Sequence, residues 1–284
     1  MTVETIAPGE APPRTGYLAV GHVTIDVAED GAGVPGGTAL YAALLAARAG
    51  VEATVLTAGD PAELARALDP FAGEVRFLVE ARPATTRLLT VWSGSARRQR
   101  VLSWAGELAP RAVEADILHL APVARELRAP FAAAPGALVG LTPQGLLRRW
   151  GRDGWMSEAR LAGGAAGAPG VVVLSEQEQP FCEELTAATA ARGGVVAVTR
   201  GEGPATVRRG EERADVPAWR VDVRDANGAG DVFAAALLLG LSRGAPLVEA
   251  TEHAHACAAL RVTGPGPAAV PTAAAVAGFV AARH

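Results

Sequence analysis

The feature that leaves this chain least freedom is an apolar run, Val232 to Leu241, entered straight from a polar, glycine-rich turn, Asp225-Ala226-Asn227-Gly228-Ala229-Gly230-Asp231. The run is apolar on every side, which predicts a helix buried all round rather than an amphipathic one. Small residues at the mouth of such a helix leave its first N–H groups bare and let another molecule approach the backbone. Those donors, with the positive end of the helix dipole, suit a phosphate or a developing oxyanion. Asp231 then falls inside the first turn, and two readings compete for it. It is either a base that takes a proton from a hydroxyl while the neighbouring amides hold a phosphoryl group, or an acid that complements the helix dipole. The turn alone does not decide between them.

Composition removes whole classes of function. The chain has 284 residues, enough for one large α/β domain or two small ones, with apolar content for a full core. Its formal charge of −4 gives no electrostatic case for nucleic acid or an anionic membrane as partner. No run has the length of a transmembrane helix, and the N-terminus lacks the basic-then-apolar order of a signal peptide. Cys182 and Cys257 have no metal-ligand spacing and are expected to be reduced thiols of a cytoplasmic protein. All 26 basic residues are Arg. Without Lys there is no P-loop, no protein-kinase strand lysine, no Schiff base and no pyridoxal-phosphate site. Any triphosphate must be met by helix-terminal amides and Arg.

Along the chain, residues 1–15 have the Pro, Ala, Gly and Glu content of a disordered leader, and 16–284 are expected to form the folded domain. Tyr17 to Val27 reads as a buried strand that emerges at Asp26, at the height where open parallel sheets bind ligands. Gly36-Gly37-Thr38 opens an Ala/Leu helix ending at Gly50, and the Gly-Gly pair permits close approach to the backbone. Strands follow at Val51 to Ala58 and Val75 to Val79, with a helix from Asp60 to Leu68 between them. A β-hairpin is expected over Thr85 to Trp92 and Gln99 to Trp104. After the strand Asp116 to Leu120 comes a helix near Ala124 to Phe131, then a strand from Ala137 to Leu141 that ends at Thr142-Pro143-Gln144-Gly145. Residues 163–170 read as a Gly/Ala linker, and Val171 to Leu174 as the strongest strand. Ser175-x-x-Glu178 after it matches a capping box. Val195 to Thr199 leads into the turn Arg200-Gly201-Glu202-Gly203, and late antiparallel strands follow. Leu247 to Val262 is a second Ala-rich helix; His253 and His255 lie on different faces of it, which argues against a zinc pair.

The Asp225 to Asp231 stretch resembles the C-terminal signature of the ribokinase (PfkB) family of sugar and nucleoside kinases. Strand, acid, Gly36-Gly37 and a small-residue helix resemble its N-terminal signature. The order Gly21-His22-Val23-Thr24-Ile25-Asp26-Val27 is closest to the myo-inositol-kinase-like members. The resemblance implies a doubly wound, mostly parallel α/β sheet flanked by helices, with a small β-flap drawn from about 30–35 and 85–104. It implies transfer of the γ-phosphoryl of ATP to a hydroxyl of a polyol, sugar or nucleoside, a myo-inositol-like acceptor being favoured. In the catalytic turn, Asp231 would be the base and Gly228, Ala229 and Gly230 the anion hole, with Asn227 beside them. Asp26, Gly36, Gly37, Tyr41, Arg87 and Gln144 would meet the acceptor. Thr199, Gly201, Gly203 and His255 would border the nucleotide, and Glu178 would hold Mg²⁺ through water. A monovalent cation near the Gly264-Pro265-Gly266-Pro267 loop and a homodimer through the flap are further implications. Asn227 and Ser175 depart from the family pattern, and Tyr41 stands where ribose-type members carry Asn, which argues against ribose. The competing class is a non-catalytic sugar or nucleotide sensor of the same fold. A nicotinamide-dependent dehydrogenase fares worse, since no G-x-G-x-x-G follows the first strand.

Overall fold

Ten strands hydrogen-bond in the order Glu4–Ile6, Arg76–Ala81, Ala53–Gly59, Thr15–Val20, Ala115–Leu120, Leu138–Leu141, Val171–Ser175, Val195–Arg200, Gly203–Arg209 and Glu212–Val216. All pairings are parallel except the last two, which are antiparallel. The structure is a computed structural model and describes residues 3–28, 31, 33–93, 96–129, 131–161 and 169–283. The inner strands are near-continuous apolar runs because parallel strands are covered on both faces. Alternation along them feeds two cores. Tyr17 and Ala19 face one with helices Thr38–Arg48, Ala229–Ser242 and Leu247–Arg261, whereas Leu18 and Val20 face the other with Leu185 of helix Glu183–Ala191. The Ala229–Ser242 helix is buried from Val232 to Leu239, as its unbroken apolar run requires. Among the described residues no helix is long and apolar enough to cross a membrane.

Strand order reverses at Thr15–Val20. Its next strand in the main sheet, Ala53–Gly59, lies on one side and Ala115–Leu120 on the other. Such a reversal leaves a crevice beyond the carboxyl ends of the strands. Over it lies a separate four-stranded flap in the order Gly33–Gly36, Thr24–Val27, Arg87–Ser93, Ala96–Ser103.

Four expectations change. Glu4–Ile6 is not part of a disordered leader: it pairs with Leu78 to Glu80 at the sheet edge, and Arg76 bonds Glu4 through two nitrogens. The run from Tyr17 to Val27 is two strands in two sheets. It breaks at Gly21, and the amides of His22 and Val23 bond Glu126 Oε1 (2.7 Å) and Thr57 Oγ1 (2.8 Å) instead of a strand neighbour. The flap therefore includes Thr24–Val27, a strand the 30–35 and 85–104 segments did not account for. No helix forms at 124–131 among the described residues. There the buried Glu126 carboxylate accepts the Val123 and Ala124 amides at 2.8 and 2.6 Å, and Arg125 is left-handed at φ 62°. The Gly/Ala linker expected at 163–170 lies outside the described residues up to 168.

Candidate active site

The Ala229–Ser242 helix runs antiparallel to the strands it covers. Its C-terminal residues Leu239, Ser242 and Arg243 line a cavity with Gly16 and Ala115, at the amino ends of strands. Its N-terminus therefore lies at their carboxyl ends, at the crevice. Gly228 is the N-cap in the left-handed conformation (φ 76°), and no side chain caps the helix. Its glycine is obligatory, because a Cβ there would come within 2.7 Å of three Tyr41 ring carbons. The turn before it is held by Asp225, whose Oδ1 accepts the Asn227 amide and Oδ2 the Gly266 amide, both at 2.9 Å. In Asn227 it is the backbone that Asp225 grips. Burial pushes the Asp225 carboxyl up, but the two amides and the Arg261 guanidinium outweigh it and hold the group below its ordinary range.

Gly230 behaves differently. It lies inside the first helical turn, and an added Cβ would meet no atom within 4 Å. Nothing in the packing asks for glycine, and glycine costs about 1 kcal/mol against alanine in a helix.

A cavity of about 190 Å³ opens at this helix mouth. The turn contributes Asn227, Gly228, Gly230 and Asp231; Asp26, Gly37, Tyr41 and Gln144 come from elsewhere. Each central strand feeds it: Thr15–Val20 leads to Thr24 and Asp26, Ala115–Leu120 to Val123, and Leu138–Leu141 to Gln144. Its volume suits one small ring and is too small for a nucleotide, for which pockets of roughly 300 Å³ and more are usual. A second cavity of about 590 Å³ shares Asp26, Tyr41 and Asn227 and extends to Pro35 and Gly266.

Asp26 is a flap residue rather than the end of a central strand. Its Oδ1 accepts the Thr24 hydroxyl at 2.8 Å. Gly36 does not line the cavity; it is glycine because a Cβ would collide with the Asp26 carboxylate. Tyr41 is buried, and burial pushes its phenol up to about 12 against the opposing pull of Arg261, so it stays protonated. Arg87 is not in the cavity: its guanidinium pairs with Glu63 and ties the flap to helix Pro61–Leu68.

The nucleotide-side residues do not reach this cavity. Thr199 pairs with Ser175 at the carboxyl ends of adjacent strands, and Gly201 and Gly203 flank the exposed turn beyond. His255 is a core residue, packed edge-on to Phe233 with centroids 5.0 Å apart. Glu178 and Ser175 bond reciprocally, Oε2 accepting the Ser175 amide at 2.8 Å and the Glu178 amide donating to Ser175 Oγ at 3.3 Å, but they close a turn rather than cap a helix, since the helix begins only at Glu183.

Among the described residues no three His, Cys, Asp or Glu form a metal cluster. A hard cation kept mostly by waters and phosphates needs fewer. Glu178 fits that demand as a single carboxylate at the carboxyl end of strand Val171–Ser175, with one oxygen held by the Ser175 amide. A monovalent cation fits less well. At the Gly264 to Gly266 loop, the carboxylate and carbonyl oxygens it would need are taken by Arg261.

Sequence reasoning missed Arg148 and Arg261. Arg148 is buried and lines the cavity, donating to Val123 O (2.8 Å) and to Gln99 Oε1 on the flap (2.6 Å). The only signal was an arginine pair closing an apolar segment after Gln144.

Residues 172–273 match the family described as pfkB family carbohydrate kinase. The bifunctional protein HldE of Caulobacter sp. (strain K31) is 35% identical over 99 residues, 34% of this chain and 20% of that protein. The ATP-dependent ribose-1-phosphate kinase of Halopiger xanaduensis is 37% identical over 89 residues, 31% of this chain and 30% of that one. The match therefore spans less than a third of either relative. Among solved structures, the Methanocaldococcus jannaschii nucleoside kinase superposes with a TM-score of 0.72 at 17% identity, covering 94% of this chain and 98% of its own. A pyrophosphate-dependent myo-inositol-1 kinase gives 0.70 at 17% identity, covering 92% and 98%. The chain has the ribokinase fold, and within it residues 172–273 are similar to the pfkB carbohydrate kinases.

Proposed function

We propose that the chain transfers the γ-phosphoryl group of ATP to a hydroxyl of a small polyol, sugar or nucleoside. The observation that carries this reading is Gly230, an open-faced glycine with no packing role, one residue before Asp231 in a cavity of single-ring size. An acceptor hydroxyl lying against Asp231 would give up its proton to that carboxylate as the new O–P bond forms and the bond from the γ-phosphorus to the bridging oxygen breaks, releasing ADP. The first-turn amides at Gly228, Ala229 and Gly230 would carry the charge that builds on the transferred group. Asp26, Gln144 and Arg148 would orient the remaining hydroxyls, and the flap above them would exclude water. Mg²⁺, held by Glu178 through water, would neutralise the donor phosphates. Thr199, Gly201 and Gly203 would border the donor. His255 is not carried into this assignment because it is packed in the core. A cyclitol such as myo-inositol suits a 190 Å³ cavity lined by two carboxylates, three side-chain amides and a guanidinium.

The test is an ATP-consumption screen over cyclitols, sugars, sugar phosphates and nucleosides, with pyrophosphate as a second donor, on the wild type and Asp231→Asn. Turnover in the wild type and a loss of at least ~10³-fold in Asp231→Asn, with ATP binding kept, are expected. An active Asp231→Asn protein would end the base assignment. Acceptor binding without any turnover in the wild type would favour a sensor of the same fold.

A further inference from the structure

Arg261 is the last residue of helix Leu247–Arg261, and its side chain is wholly buried. Its guanidinium reaches three separate segments behind the anion turn. Nη2 donates to Asp225 Oδ2 at 2.9 Å and to the Tyr41 hydroxyl at 3.3 Å, and Nη1 donates to Gly264 O at 2.9 Å. The guanidinium also lies 4.9 Å from the Tyr41 ring centre. Both partners bear directly on the catalytic turn: Asp225 holds the Asn227 amide, and the Tyr41 ring is the wall against which Gly228 is packed. Meanwhile Arg261 Nε is buried with no partner. A buried charge with an unmet donor is a poor way to stabilise a fold, so its retention points to a positioning task.

The carboxylate and the backbone carbonyl that meet this one guanidinium, through different nitrogens, are the kinds of oxygen donor a dissociable monovalent cation would use. Here a covalently attached cation meets them. We propose that Arg261 is a positioning residue that takes the place of a monovalent cation, fixing Asp225 and Tyr41 so that the Gly228 to Gly230 amides keep their aim without any bound potassium or sodium. The inference rests on the kinase reading for its effect on turnover, but its cation prediction stands apart from that reading.

Two measurements test it. In the wild type, thermal stability and, where turnover is found, kcat are expected to be the same in potassium, sodium and tetramethylammonium chlorides at equal ionic strength. Arg261→Ala is expected to lose kcat by ~10²-fold with little change in acceptor KM, as misplacement of a catalytic group does. Its melting temperature and its kcat are expected to rise selectively with millimolar guanidinium or potassium and not with tetramethylammonium. Should Arg261→Ala not fold, Arg261→Gln, which keeps a donor but no charge, is measured in the same salts. Selective potassium dependence of the wild type overturns the proposal, as does a folded variant that answers to no cation. The melting-temperature readout needs no turnover, so an absent kinase activity and a wrong Arg261 role give different results.

Discussion

At the scale of single residues the site turns on two glycines with opposite reasons for being glycine. Gly228 is required by its left-handed φ and by the Tyr41 ring, so any substitution there disturbs the fold. Gly230 has neither constraint, so Gly230→Ala separates stability from function. Alanine should leave the melting temperature unchanged or raise it, since it removes a helix penalty of about 1 kcal/mol. The same change should cut phosphoryl transfer by at least ~10-fold if a ligand approaches that face. A thermal melt paired with the acceptor assay checks both; an unimpaired Gly230→Ala enzyme would detach the open face from catalysis. The Asp225 to Asp231 turn was legible in the sequence because glycine spacing ahead of an all-apolar run restricts local structure strongly. Arg148 and Arg261 were not legible. Their roles come from carbonyl, carboxylate and amide partners on distant segments, and an arginine in isolation looks like a solvated charge.

At the scale of elements, what escaped the sequence is where polar side chains replace backbone pairing. The mostly apolar stretch from Tyr17 to Val27 reads through Gly21 as one strand, yet the chain changes sheets there because Glu126 and Thr57 take the amides of His22 and Val23. The same Glu126 cancels the helix expected near 124–131. One buried carboxylate thus shapes both loops at the crevice. Glu126→Gln would leave one of its three amides facing an NH₂ group and remove the charge from the others. A loss of about 2–3 kcal/mol in a urea titration is expected, from hydrogen bonds to a charged group made weaker or unmet. A loss under 0.5 kcal/mol would show that the loops are held by something else.

At the scale of the whole molecule, buried imidazoles set the response to acid. His22 and His119 are wholly inaccessible, hydrogen-bonded to Thr86 Oγ1 and the Tyr17 hydroxyl at 2.8 and 2.7 Å. Burial pulls both down from 6.5, His119 to about 3. The unfolded chain therefore binds more protons than the folded one below pH 6.5, so stability is full above that value and falls as pH drops towards 3. Well inside this window His119 should cost about 1.4 kcal/mol per pH unit, and His22 acts in the same direction. Melting curves between pH 7 and pH 5 should show the decline, and His119→Gln should lower its slope by one proton; an unchanged slope would mean His119 already charges in the native state.

The two halves of the cover over the site are distant in sequence. Thr24–Val27 lies beside Arg87–Ser93 in parallel, and two main-sheet strands separate them along the chain. Such a pairing closes a long loop, which is expected to form after the more local contacts. The roof of the crevice is therefore a late event in assembly. A growing polypeptide would carry Thr24–Val27 for some time before the crevice had a roof.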